Sequence, residues 1–144
     1  MKLRQISGLL LGSLTAATLV SCRTPQVEAR LEGSWRSNKD ETVARWKQER
    51  VLSPVVIENF EKNVLGKMTM TYGEGKVTAT LGNWKEVQPY EIVESGKDYV
   101  ILEQFSILFE SNLRLKLQFA NGGYWVFNDA IAEGYVEKFD RLKP

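Results

Sequence analysis

Between Leu113 and Phe119 the sequence reads LRLKLQF, apolar and polar by turns. No other feature of the chain restricts its folding as much. Successive side chains of a strand point to opposite faces. A period of two therefore puts Leu113, Leu115, Leu117 and Phe119 on one face and Arg114, Lys116 and Gln118 on the other. A helix with about 3.6 residues per turn would scatter both sets around its axis. The same period recurs upstream, with Met68, Met70 and Tyr72 sharing a face of KMTMTY, and Val77, Ala79 and Leu81 sharing a face of KVTATL. Tyr90 and Ile92 do so in EVQPYEIVE, where Pro89 hints at an edge or a bulge. YVILEQF, YWVF and GYVEKFDRL supply three further strands. Turn signals separate them: Gly73 to Gly75, Ser95 to Asp98, and Asn121-Gly122, the strongest short-range hairpin signal in the chain.

A different period precedes Gly66. Asn38 and Glu41 have the spacing of a capping box, followed by ETVARWKQERV with Val43, Trp46 and Arg50 on neighbouring turns. Ser53-Pro54 opens a second helix, with proline at its first position. Val56, Ile57, Phe60 and Val64 then recur at helical spacing, and Gly66 is a natural stop. One more short strand, around Trp35, comes before the helices. An antiparallel meander with one wet face must hide its other face and its two edges, and closing on itself does both. The expected fold is mainly β: an eight-stranded antiparallel meander barrel with a two-helix insertion between strands 1 and 2. The alternative is an open curved sheet packed on the helices, an α+β arrangement, should strands 34–37 and 134–142 not pair.

The first residues carry a different message. Lys2 and Arg4 precede an uncharged apolar run from Ile6 to Val20, too short to cross a bilayer core that needs roughly 20 residues. Leu19 and Ser21 stand before Cys22, the only cysteine. This resembles the lipobox of bacterial lipoproteins over residues 1–22. The resemblance implies that Cys22 takes a diacylglycerol on its sulfur and an acyl chain such as palmitate on its freed amine. Two or three such chains hold a protein durably on a membrane. Residues 1–21 would then be a cleaved signal peptide, 22–31 a polar tether and 32–144 the barrel domain. Arg23, where an inner-membrane lipoprotein would carry Asp, implies a place in the bacterial cell envelope at the outer membrane.

Removing residues 1–21 takes away Lys2 and Arg4 and turns the formal charge from +1 to −1. So even a balance argues against a nucleic-acid partner, which would want a basic face. With its one cysteine lipidated, the chain can form no internal disulfide and must be held by packing. There is no histidine, which removes Ser–His and Cys–His nucleophile pairs and the commonest metal ligand. GEGKVT, residues 73–78, lacks the spacing of a phosphate loop and reads as a hairpin. Glu91, Glu94 and Glu103 lie on strands whose alternation sends most of them to solvent. No catalytic residue, metal or cofactor is expected, and the chain is read as not an enzyme.

Gly33-Ser34-Trp35 near the start of the sheet, Arg141 in the last strand and the helix pair between the first two strands together resemble the lipocalin and fatty-acid-binding superfamily of small barrels. The resemblance implies that Arg141 lies across the indole of Trp35 and ties the last strand to the first, and that the helices form a lid. It departs from lipocalins in lacking a helix after the barrel. Two functions are compatible with this reading. One is a carrier or sensor of a small apolar ligand held inside the barrel by Met68, Met70, Tyr72, Leu115, Leu117, Trp125 and Phe127, with Phe60 from the lid. Those residues would equally serve as a filled core. The other is a ligand-free envelope module that docks another protein, for which Ile107, Leu108 and Phe109 form an apolar run at a strand connection. A cavity of a few hundred Å³ under the helices would favour the carrier.

Overall fold

Asn38 starts the first helix as its spacing predicts: its Oδ1 accepts the Glu41 N–H at 3.0 Å. The reciprocal half of the box is altered. Glu41 Oε1 takes the Asn38 Nδ2 at 3.4 Å, because the Asn38 backbone N–H donates to Lys138 O at 2.8 Å. In the computed structural model, which describes residues 28–107 and 109–144, helix α1 runs Lys39–Glu49 and helix α2 Pro54–Asn63. They interrupt a sheet of strands β1 Gly33–Ser37, β2 Thr69–Gly73, β3 Lys76–Leu81, β4 Trp84–Ser95, β5 Tyr99–Ser106, β6 Ser111–Ala120, β7 Gly123–Phe127 and β8 Val136–Arg141. Each strand pairs antiparallel with the next, and β8 returns to β1, so the sheet is a closed eight-stranded barrel. The open α+β sheet is thereby excluded. A bulge does occur in β4, at Ile92/Glu94, a few residues beyond Pro89.

The β1–β8 seam is short. Only Trp35, Arg36 and Ser37 find partners, at Arg141, Asp140 and Phe139. Chain direction then turns at Asn38 into α1, leaving the first half of β8 with backbone groups to satisfy. Helix α1 satisfies them. Trp46 Nε1 donates to Val136 O at 2.6 Å, and Thr42 Oγ1 accepts the Lys138 N–H at 2.9 Å. Lys138 itself is fully buried and pairs with Asp140 at 2.7 Å and Glu41 at 3.4 Å. Thr42, Val43 and Trp46, one face of α1, therefore pack on the outside of β8, not across the barrel's opening. This corrects the expectation that both helices form a lid. Only α2, through Phe60 and its C-cap residue Val64, reaches the opening.

At the opposite end the chain seals itself. Residues 28–32 turn under the barrel and bury Leu31 completely. Arg30 fastens this plug by donating to Gly96 O and Lys97 O, both at 2.8 Å. The last four residues of the expected tether thus pack as part of the barrel. Since every strand pair, both helices and the plug lie within 28–144, this stretch carries its own core.

Gly123 marks the tightest approach between strands. A Cβ there would sit 2.0 Å from Phe139 O and 2.8 Å from an Asp140 side-chain oxygen. Gly123→Ala is expected to cost about 2–3 kcal/mol by forcing β7 off β8. Urea titration of both proteins checks this, and equal midpoints would show that the two strands can part without cost.

Candidate functional site

Above an aromatic floor the barrel is hollow. Tyr124 lies edge-on to Trp35, 4.9 Å between ring centres, and stacked on Phe139 at 5.4 Å. Tyr72 joins it, 6.3 Å away, and the two hydroxyls stand 3.4 Å apart. Burial raises both phenols, Tyr72 to about 12, so neither ionises at neutral pH. Over this layer opens a cavity of about 510 Å³. Small-molecule sites commonly fall in a range of roughly 300–1,000 Å³. Met68 just before β2, Met70 of β2 and Leu113 and Leu115 of β6 form apolar walls, and Phe60 of α2 with Val64 at its C-cap covers part of the opening. Trp84, Phe109 and Ile131 stand at the rim, each more than a third exposed.

Of the residues expected to face a ligand, Phe60, Met68, Met70, Tyr72 and Leu115 line this cavity, and three do not. Leu117 is fully buried in the core cluster alongside Val100 and Leu102 without bounding the cavity. Trp125 and Phe127 are on the wrong face. Tyr124 and Val126 are the inward residues of β7, so its alternation turns Trp125 and Phe127 outward. There Arg45 of α1 lies over both rings, 4.7 and 5.5 Å from their centres. Phe127 also borders a shallower depression of about 420 Å³ on the outer wall, with Arg114 and Lys116.

Six polar lining residues escaped the sequence reading: Glu86, Gln88, Gln104, Ser106, Asn128 and Glu137. The signal was present. Counting back by twos from inward Tyr90 reaches Gln88 and Glu86, and Glu137 lies midway between Tyr135 and Phe139. Glu86 accepts the Ile107 N–H at 2.8 Å. Gln104 Oε1 is buried without a hydrogen-bond partner. Glu137 is buried and accepts two hydroxyls, Ser37 Oγ at 2.6 Å and Tyr135 OH at 2.8 Å.

Burial pushes the Glu137 carboxyl above its ordinary value of 4.5, against the opposing pull of the Ser37 and Tyr135 hydroxyls. The folded protein thus keeps a proton that the unfolded chain releases first. Its contribution to stability is full below pH 4.5 and is lost as pH rises toward the raised folded value. Glu137→Gln is expected to abolish this decline. The stability difference between variant and parent should grow in the variant's favour with pH, by up to about 1.4 kcal/mol per unit across that window. Urea unfolding of both proteins through the pH range measures it, and a difference independent of pH rules it out.

At the sealed end, Arg141 and Trp35 meet as the resemblance implies. The guanidinium carbon lies 4.1 Å from the indole centre. Arg141 also donates to Glu32 O and Arg30 O, both at 2.6 Å, and Trp35 Nε1 donates to Leu31 O at 2.8 Å. Gly33 is required here: its φ is +113°, and a Cβ would come within 3.1 Å of Arg141 Nη1. Cys22, the expected lipid attachment point, and Leu108 of the apolar run lie outside the described residues. Ile107 is 60 % exposed, while Phe109 turns toward the cavity rim. Compared with protein-family models, curated proteins and solved structures, the chain matches none.

Proposed function

We propose that this chain is a lipocalin-like carrier or sensor, anchored in the bacterial envelope by lipid on Cys22, that holds one small, mainly apolar ligand. The observation that carries the reading is the cavity of about 510 Å³ above the Tyr72–Tyr124 floor, walled by methionine and leucine and partly roofed by α2. A barrel serving only as a scaffold gains stability by filling such a space with side chains. Methionines suit a ligand of irregular shape because their thioethers are flexible and polarizable. Native mass spectrometry of residues 26–144, purified from the source bacterium, tests the reading. A co-purifying small molecule supports it, and a bare protein that also ignores a panel of hydrophobic ligands does not.

The anchor rests on the lipobox-like signal ending at Cys22. Cys22→Ser is expected to leave the unprocessed precursor in place and to block metabolic labelling with palmitate. Normal maturation of that variant would remove the lipoprotein reading and, with it, the outer-membrane location.

One observation favours the second reading, an envelope module that docks another protein. Val87, Phe105 and Ile107 are 48 %, 43 % and 60 % exposed on the neighbouring strands β4 and β5 and the loop beyond them. An apolar patch of this kind commonly marks an interaction surface. Cross-linking in intact cells that yields one defined partner, lost on Ile107→Asp, supports that reading.

A further inference from the structure

The cavity's chemistry selects among apolar ligands by their heads. Its polar lining includes two acids, Glu86 and Glu137, and no lysine or arginine, and the chain has no histidine. Glu137 is occupied by the Ser37 and Tyr135 hydroxyls. Glu86 is nearly buried, 9 % exposed, and spends one oxygen on the Ile107 N–H. No other described residue bonds to it. On the adjacent strand β5, Gln104 Oε1 is buried and unpartnered. The Gln104 oxygen has left water and found no donor, and the second Glu86 oxygen is not spent on a protein donor, so both favour a ligand that supplies one.

A carboxylate head would meet the reverse. It would give up its own hydration, find no cation along the cavity wall and stand against a like charge at Glu86. Anion-binding sites in proteins use arginine, lysine or converging backbone N–H groups, and the Ile107 N–H here is already taken.

Resting on the carrier reading, we infer that the cavity takes an amphiphile with a hydrogen-bond-donating, positively charged head, of which a long-chain primary amine is the simplest. The head sits at Glu86, and the tail lies along Met68, Met70 and Leu115 above the Tyr72–Tyr124 floor. Alkyl carboxylates of equal length are disfavoured.

Isothermal titration of residues 26–144 at neutral pH with decylamine, 1-decanol and decanoate tests this. Decylamine is expected to bind at least about tenfold more tightly than decanoate, with decanol between them. Glu86→Gln keeps the size of the side chain and an oxygen for the Ile107 N–H while removing the charge. It is expected to shrink the amine-to-carboxylate ratio to below about threefold and to leave decanol within about twofold of the parent. Decanoate binding as tightly as decylamine, or a ratio unmoved by Glu86→Gln in a folded variant, overturns the inference while leaving a carrier in place. Failure of all three probes to bind the folded protein overturns both the inference and the carrier. Should the variant not fold, the ratio measured on the parent decides by itself.

Discussion

Trp46→Ala is expected to cost about 3–5 kcal/mol, the range for removing a fully buried tryptophan. Three contributions converge on this side chain. Its ring meets Phe60 of α2 at 5.5 Å and Tyr135 at 5.3 Å, so it joins both helices to the wall. Its Nε1 satisfies Val136 O, which β1 is too short to reach. Its removal leaves a cavity in the cluster where Val43 of α1, Ile57 of α2 and Val136 of β8 meet. Trp46→Phe separates these terms. It keeps most of the ring packing but orphans the Val136 carbonyl, and a loss of about 1–3 kcal/mol is expected. Chemical denaturation of the three proteins is the measurement. If the phenylalanine variant matches the parent, the short seam does not need its helical supplement.

Trp35→Ala is expected to be comparably damaging, again about 3–5 kcal/mol. The indole is 2 % exposed and closes the floor beneath Tyr124. It also holds the plug through the Leu31 carbonyl. Arg141→Ala removes the guanidinium from the indole face and frees two carbonyls of the plug, but at a wetter site, so a loss of about 1–2 kcal/mol is expected. Arg141→Lys should recover little, because an ammonium lacks the planar fork that spans Glu32 O and Arg30 O. In the double variant the two losses are expected to fall short of additivity by about 0.5–1 kcal/mol, since the cation–π contact is counted in each. Strict additivity would mean that the stacking seen here contributes nothing.

Much of this architecture was legible in the sequence, and the exceptions have physical causes. Alternation was clearest where one face is core and the other water, as from Leu113 to Phe119, and β6 follows it residue by residue. Turn chemistry was equally direct: Asn121 and Gly122 adopt φ of 48° and 73°, and Glu74 and Gly75 adopt 55° and 72°. The phase of β7 was not legible. Tyr124, Trp125, Val126 and Phe127 are all apolar, because the outer face of this strand is covered by Arg45 and α1 instead of solvent. A strand covered on both sides carries no alternation to read. The inward acids and amides of β4 and β5 were missed for the converse reason. Glu86, Gln88 and Gln104 have the polarity of a wet face, yet they point into a cavity that polar lining keeps from collapsing into core. The placement of α1 was also hidden, since helical spacing identifies an apolar face but not the surface that receives it.

The plug has a consequence for how such a molecule would stand on a bilayer. Glu28 emerges under the barrel's sealed base, and Cys22 is six residues upstream, a reach of at most about 20 Å even when fully stretched. An acyl anchor at Cys22 would therefore hold the base against the lipid headgroups and point the Trp84–Phe109–Ile131 rim away from them. Cargo would then be exchanged with the aqueous compartment or with a protein standing in it, and not drawn straight up from the leaflet below.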